Sequence, residues 1–331
     1  MEYLLQVTHQ RGLFQTKEVT VMTLQPAAQR TMYFIGVTTG SSSIMRVFPK
    51  WAEALGLNAV LKGIDLPIHA PAEVYRQVVS FIREDPLSLG ALVTTHKIDL
   101  YQACSDLFDG LDSYALQLGE ISSISKRDGK LWGHAKDPIS SGLALEAFVP
   151  EGFWQQHGGE VLLMGAGGAS LAMALYFATR PAGSDIPRKI TITNRSQPRL
   201  EAARSILSGL NSSIEFAFYH NPTPEGNDVS VHKLPPHSLI VNATGLGKDA
   251  PGSPVTDACR FPAESLVWEI NYRGELLFMQ QALTQKADAN LFVEDGWIYF
   301  IHGWTQVIAE VFHTPIEGAL LEHLSALAKQ P

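Results

Sequence analysis

Residues 161–170 read VLLMGAGGAS: a short apolar run, three glycines within four positions, then small residues suited to a helix. A buried run this short, ended by glycine, reads as a strand that must turn sharply. Glycine permits that turn and lets backbone N–H groups approach a bound anion at the start of the next helix. A strand, a Gly-rich turn and a helix open a βαβ unit. Such units imply a mainly parallel sheet covered on both faces.

The rest of the chain alternates to match. Periodicity predicts strands at 32–37, 58–66 and 89–93, with helices at 44–55, 72–83 and 100–107. A second series has strands at 159–164, 189–193, 213–219, 238–243 and 266–270, with helices at 169–178 and 198–207. An apolar helix at 139–148 would bridge the two series, and the C-terminal stretches 297–311 and 316–328 also read as helices. The chain has 331 residues, more than one core usually supports. The expectation is an α/β protein of two domains. Residues 1–30 form an N-terminal extension with a possible strand at 18–22. Residues 31–146 form a mainly parallel α/β substrate-binding and catalytic domain, on which helices 298–331 pack back. Residues 147–297 form a Rossmann-type nucleotide domain.

Composition narrows the partners. The net charge is −8 and basic residues do not cluster, which speaks against nucleic acid and anionic membrane. The N-terminus lacks a basic start followed by an apolar block, and no apolar stretch approaches the roughly 20 residues of a membrane span. Cys104 and Cys259 are far apart, which argues against a disulfide scaffold or a structural zinc site. The expectation is a cytoplasmic protein, monomer or homodimer, without a metal.

The loop Gly165-Ala166-Gly167-Gly168-Ala169-Ser170 is a variant of the dinucleotide fingerprint. The next strand ends in Asn194-Arg195-Ser196-Gln197-Pro198-Arg199, where an NAD-preferring site would place Asp or Glu. Arg195 and Arg199 instead suit a 2′-phosphate, so the expected cofactor is NADP. A third loop, Asn242-Ala243-Thr244-Gly245, falls where the nicotinamide half would lie. A methyltransferase would also use a Gly-rich loop, but adenosylmethionine offers those arginines no phosphate.

Two polar groups follow apolar runs. Residues 89–99 read LGALVTTHKID and bring Lys97 just past a buried strand. Asp137 begins the bridging helix in AKDPISSG, where by itself it reads first as an N-cap. A lysine held by a carboxylate in a partly dry cleft can exchange a proton with a substrate hydroxyl as hydride leaves the carbon. His96 reads either as a loop histidine or as a hydrogen-bond partner of substrate.

Over roughly residues 32–331 the chain resembles the shikimate dehydrogenase family. Its ALVTTHK matches the family's NVTxPxK and keeps Lys97, and AKDPISSG matches NTDxxG and keeps Asp137. GAGGAS, NRSQPR and NATGLG match the family's nucleotide-loop motifs. The resemblance implies NADP-dependent, reversible hydride transfer on a ring hydroxy-acid such as shikimate, with Lys97 and Asp137 as the proton-transfer pair. It implies a substrate site drawn from Ser41, Ser43, Thr95, Ser122, Tyr272 and His302. The departures are specific. Family asparagines fall on Ala91 and Ala135, the HSxSP segment is represented by Gly40-Ser41-Ser42-Ser43-Ile44, and the MLVxQ glutamine has no clear counterpart. Two lost amides point to a less hydroxylated or larger ring acid, because unmatched polar groups in a site are costly. The alternative is a non-catalytic NADP- or metabolite-binding protein of the same fold.

Overall fold

A computed structural model of the chain describes residues 24–248 and 250–330. The strand expected at 18–22 lies outside the described residues. The chain divides into two compact units: residues up to Lys136 together with those from Trp304 onward, and Asp137–Gly303. Both units are α/β, as the alternating pattern implies.

In the first unit, β1 (Thr31–Gly36), α1 (Ile44–Ala54), β2 (Val60–Asp65), α2 (Ala72–Glu84), β3 (Ser88–Val93) and α3 (Lys97–Cys104) alternate as expected. Then come β4 (Gly110–Leu111), α4 (Ser113–Leu118), β5 (Ser123–Arg127) and β6 (Lys130–His134). The sheet order is β2-β1-β3-β5-β6-β4, with β1 parallel to β2 and β3, and β5 antiparallel to both β3 and β6. Ile44, Val47, Phe48 and Trp51 repeat at helical spacing and are buried, so α1 packs its apolar stripe inward. Gly56, at φ 65°, follows it as a left-handed stop.

The unit departs from the sequence reading between residues 97 and 134, where β4 and α4 are also unforeseen. The helix expected at 100–107 starts earlier, at Lys97, because the carbonyl of His96 already accepts the N–H of Leu100. The β5–β6 hairpin was absent from the sequence reading although its signal was present. Asp128-Gly129 forms the two-residue turn with φ 52° and 73°, the left-handed pair a tight hairpin requires.

The second unit begins with α5 (Asp137–Glu146) and α6 (Phe153–His157), followed by β7 (Val161–Met164) and α7 (Gly168–Ala178). Next are β8 (Lys189–Asn194), α8 (Gln197–Ser208), β9 (Glu215–His220), α9 (Pro224–His232) and β10 (Leu239–Asn242). β11 (Leu266–Glu269), α10 (Leu277–Leu283) and β12 (Phe292–Glu294) complete its sheet. All its strand pairs are parallel, in the order β12-β11-β10-β7-β8-β9. The chain therefore winds outward in both directions from a switch point between β7 and β10, where open α/β sheets bind ligands. Leu163, Ile190, Ile192, Val241 and Trp268 share one core with α7 and α8. Leu162, Met164, Ile240 and Val267 share another with Phe278 and Ala282 of α10. Strands buried on both faces need continuous apolar runs, and VLLM and LIVN supply them.

The chain closes with α11 (Trp297–Phe312) and α12 (Gly318–Ala328). Residues of α11 from Trp304 onward belong to the first unit. There Trp304 packs edge-on against Phe34, and α12 docks on α1, with Trp51 Nε1 donating to the Leu324 carbonyl at 2.8 Å.

Candidate active site

In the second unit the loops after β7 and β10 meet at the switch point. Gly165 has φ 111°, and a Cβ there would stand 2.6 Å from the carbonyl oxygen of Ala243. Ala166 follows it, largely buried. Ser170 is buried, and its hydroxyl donates to the Gly165 carbonyl at 2.6 Å, holding the turn closed. Gly167 has an extended backbone, and a Cβ on it would meet nothing within 4 Å. Gly168 and Ala169 open α7, whose first N–H groups have no intrahelical acceptor. Together these residues leave a clear space in front of a helix N-terminus, a fit for a pyrophosphate.

At the end of β8, the Asn194 side chain accepts the N–H of Arg195 at 2.9 Å, while its own Nδ2 is buried without a partner. Ser196 caps α8 without a side-chain bond, and Pro198 lies in the first turn. Arg195 and Arg199 are exposed, and neither guanidinium forms an ion pair among the described residues. Two guanidiniums without an ion pair at this strand end suit a phosphomonoester, whose oxygens take bidentate, charge-assisted bonds. Asn242, Ala243, Thr244 and Gly245 follow β10. The amide of Asn242 is fully buried and bonded inside the protein, so it shapes the loop from within.

In the first unit the candidate groups gather at the C-terminal ends of the parallel strands. Ser41 follows β1, is exposed, and donates to the Thr38 carbonyl at 2.9 Å. Ser43 precedes α1 without a side-chain capping bond. The Thr39 N–H donates to Asp65 Oδ1 at 2.8 Å, which ties this segment to the end of β2. Thr95 is exposed beyond β3, and Lys97 is the first residue of α3. A cation at a helix N-terminus opposes the dipole, so helix stability does not account for a lysine there.

His96 settles inward. Its ring is fully buried, with Nε2 donating to the Gly36 carbonyl at 3.2 Å and Nδ1 accepting from the Tyr75 hydroxyl at 2.9 Å. Burial, then the charge of Asp99, pushes the Tyr75 phenol up to about 12, so it stays a donor. His96 thus brackets β1 and α2 and fixes the start of α3. Ser122 is also buried; its hydroxyl accepts the N–H of Lys136 at 2.8 Å.

Sequence reasoning missed the cluster around His134. Its Nδ1 lies 3.6 Å from Asp112, and its Nε2 lies 3.4 Å from Glu310 and 3.0 Å from the Ser125 hydroxyl. Glu310 also pairs with Lys136. Burial raises Glu310, but the bond from Lys136 and the charges of His134, Lys136 and Arg127 outweigh it, leaving the carboxyl below its ordinary value. Asp112 caps α4 and accepts the N–H of Ala135 at 3.2 Å. The cluster therefore holds residues 134–136, directly before Asp137. No sequence motif marks it, because its members lie on three distant segments.

Asp137 opens α5 in the second unit. Tyr272 is half-buried in the same unit, with its ring 4.8 Å from that of Phe300. His302 is buried, and burial holds its imidazole below the ordinary value against the opposing charge of Glu146.

No protein-family model matches the chain. The shikimate dehydrogenase (NADP(+)) of Streptococcus thermophilus is 30% identical over 182 residues, covering 55% of this chain and 59% of that protein. That of Symbiobacterium thermophilum is 28% identical over 222 residues, covering 66% and 68%. The chain is thus similar in sequence to shikimate dehydrogenases. The alignment still spans less than two thirds of the first relative's length. Among solved structures, shikimate 5-dehydrogenase of Listeria monocytogenes, in complex with shikimate and NAD, superposes with a TM-score of 0.70. It shares 17% identity, over 92% of this chain and 98% of that one. At that identity the likeness shows the two-domain fold the family shares. No helix among the described residues is long and apolar enough to cross a membrane.

Proposed function

We propose that the protein is an NADP-dependent dehydrogenase of a small ring hydroxy-acid, shikimate or a related acid. The observation that carries this reading is the second unit's phosphate site: an open glycine turn at a helix N-terminus, with idle guanidiniums of Arg195 and Arg199 at the end of the adjacent strand. The relatives named as NADP(+)-dependent shikimate dehydrogenases support it.

NADP, when bound, supplies or accepts the hydride. The N–H groups of Gly167, Gly168 and Ala169 would hold its pyrophosphate, with Arg195, Arg199 and Asn194 on the 2′-phosphate. Lys97 would exchange the proton at the substrate oxygen whose carbon changes oxidation state, and Asp137 would keep that lysine charged and oriented. Ser41 and Ser43 would offer hydroxyls to the substrate carboxylate, and Thr95, Ser122, Tyr272 and His302 are the further candidate substrate residues. Ala91 and Ala135 carry only methyl groups, so neither offers a side-chain amide to a ring hydroxyl. The preferred acid is accordingly less hydroxylated or larger than shikimate.

The test is a panel of shikimate, quinate and related ring acids with NADP⁺, followed by reduced-cofactor absorbance, with NADP⁺ binding measured separately. Turnover of one member, lost in Lys97→Ala while NADP⁺ still binds, is the expected result. NADP⁺ binding without turnover of any ring acid would instead favour a binding protein. Failure to bind NADP⁺ would remove the reading altogether.

A further inference from the structure

β10 and β11 end side by side at Asn242 and Glu269, which are partners in register. Glu269 is fully buried. Its Oε1 accepts from the backbone N–H of Asn271 at 2.9 Å and from that residue's Nδ2 at 2.7 Å. Its Oε2 accepts from Asn242 Nδ2 at 2.6 Å. Both asparagines pass the contact on. Asn242 Oδ1 accepts from the N–H and the hydroxyl of Thr244 at 3.0 and 2.6 Å, and its Nδ2 reaches the Leu246 carbonyl at 3.3 Å. Asn271 Nδ2 donates to the carbonyls of Thr244 and Leu246 at 3.1 and 3.2 Å. The network thus leads from one carboxyl to the loop that begins at Ala243, against the Gly165 turn.

Each of these partners gives the carboxyl a donor, so the arrangement is built for the ionised form. A proton on Oε2 would face the N–H of Asn242. Accommodating it requires the Asn242 amide to turn over, which sets its NH₂ against the Thr244 N–H. The bonds from the Asn242 amide to Thr244 and to the Leu246 carbonyl would then be lost, leaving the loop held here by Asn271 alone. Lys248, on the same loop, is the charged side chain acting on Glu269; β10 and the segment after β11 present the neutral Asn242 and Asn271.

We propose that Glu269 is a positioning residue: ionised, it locks loop Ala243–Gly247 in the shape that receives NADP, and protonated, it releases that loop. The proposal rests on the NADP reading above. Burial lifts this carboxyl to about 7 against the bonds from Asn271 and Asn242 and the charge of Lys248, so the switch falls within the physiological range. If only the ionised form is competent, the competent fraction climbs from about 0.09 at pH 6 to about 0.9 at pH 8, and affinity for NADP⁺ tightens about tenfold.

Two measurements test this. NADP⁺ titrations followed by tryptophan fluorescence from pH 6 to 8 give the affinity profile. Hydrogen exchange of the unliganded protein gives protection of residues 243–247 relative to the β7 core, without requiring cofactor. The expected result is a roughly tenfold affinity gain and a parallel gain in loop protection. Glu269→Gln should bind weakly at every pH, and its profile supplies the baseline for titration of the ligand's own phosphate. Wild-type affinity and loop protection that are both flat across this range would overturn the proposal, as would a Gln variant that keeps the wild-type slope. If NADP⁺ fails to bind at any pH, the cofactor reading fails. Loop protection that still drops below pH 7 then supports the switch, and flat protection refutes it.

Discussion

Gly167 and Gly165 stand two residues apart and should answer the same substitution in opposite ways. Gly167 has φ −97° and ψ −175°, a backbone any residue adopts, and a methyl there meets nothing within 4 Å. Gly→Ala at such a position stabilises by about 0.4–1 kcal/mol through the unfolded chain. Gly167→Ala should therefore melt at or slightly above the wild-type temperature. The methyl would nevertheless occupy the space before α7 assigned to the pyrophosphate. Displacing even one charge-assisted hydrogen bond costs about 1.5–3 kcal/mol, a roughly tenfold to hundredfold loss of NADP⁺ affinity. Gly165→Ala sets a methyl 2.6 Å from the Ala243 carbonyl oxygen at φ 111°. Backbone strain of about 1–3 kcal/mol and overpacking of similar size predict a loss of about 4 kcal/mol. For a unit of this size that lowers the melting temperature by about 8–16 °C. Calorimetry and NADP⁺ titration of both variants separate the two effects. Wild-type affinity in Gly167→Ala would refute the phosphate cradle, and unchanged melting of Gly165→Ala would refute the close approach of the two loops.

The Arg195→Ala/Arg199→Ala double variant should lose at least tenfold in NADP⁺ affinity and leave NAD⁺ binding unchanged, as competitive titrations would show. Equal losses for both nucleotides would place the arginines elsewhere. The folded Glu269 carboxyl lies at about 7 against an ordinary 4.5, so its stabilisation is complete below the lower value and lost as pH rises through the upper. Denaturant melts should show a contribution that declines by about 3 kcal/mol from pH 4.5 to above 7, absent in Glu269→Gln. Trp51 is fully buried and bonded to the Leu324 carbonyl, so Trp51→Ala should cost the first unit about 3–5 kcal/mol by the same assay. A loss under about 1 kcal/mol would mean that α12 does not need this anchor.

Local chemistry determined much of this protein. VLLM before glycine, the apolar stripe of α1 and the DG dipeptide of the hairpin each restrict the backbone within a few residues, so strand, helix and turn are legible there. The cofactor expectation is local for the same reason: glycines and arginines act at the ends of the strands that carry them. Other features needed the tertiary structure. His96 reads as either a loop residue or a substrate partner until Gly36 and Tyr75 close around its ring, and α3 begins early because the His96 carbonyl accepts the Leu100 N–H. Asp112 and Glu310 are distant in sequence from the pair His134 and Lys136, and only the sheet and α11 bring them together. Asn242 reads as a cofactor-loop residue, yet its amide faces Glu269, a carboxyl with no motif around it. A hydrogen-bond network among residues on separate strands depends on which strands become neighbours. That order is set by long-range packing at the switch point, and no stretch of the chain carries it alone.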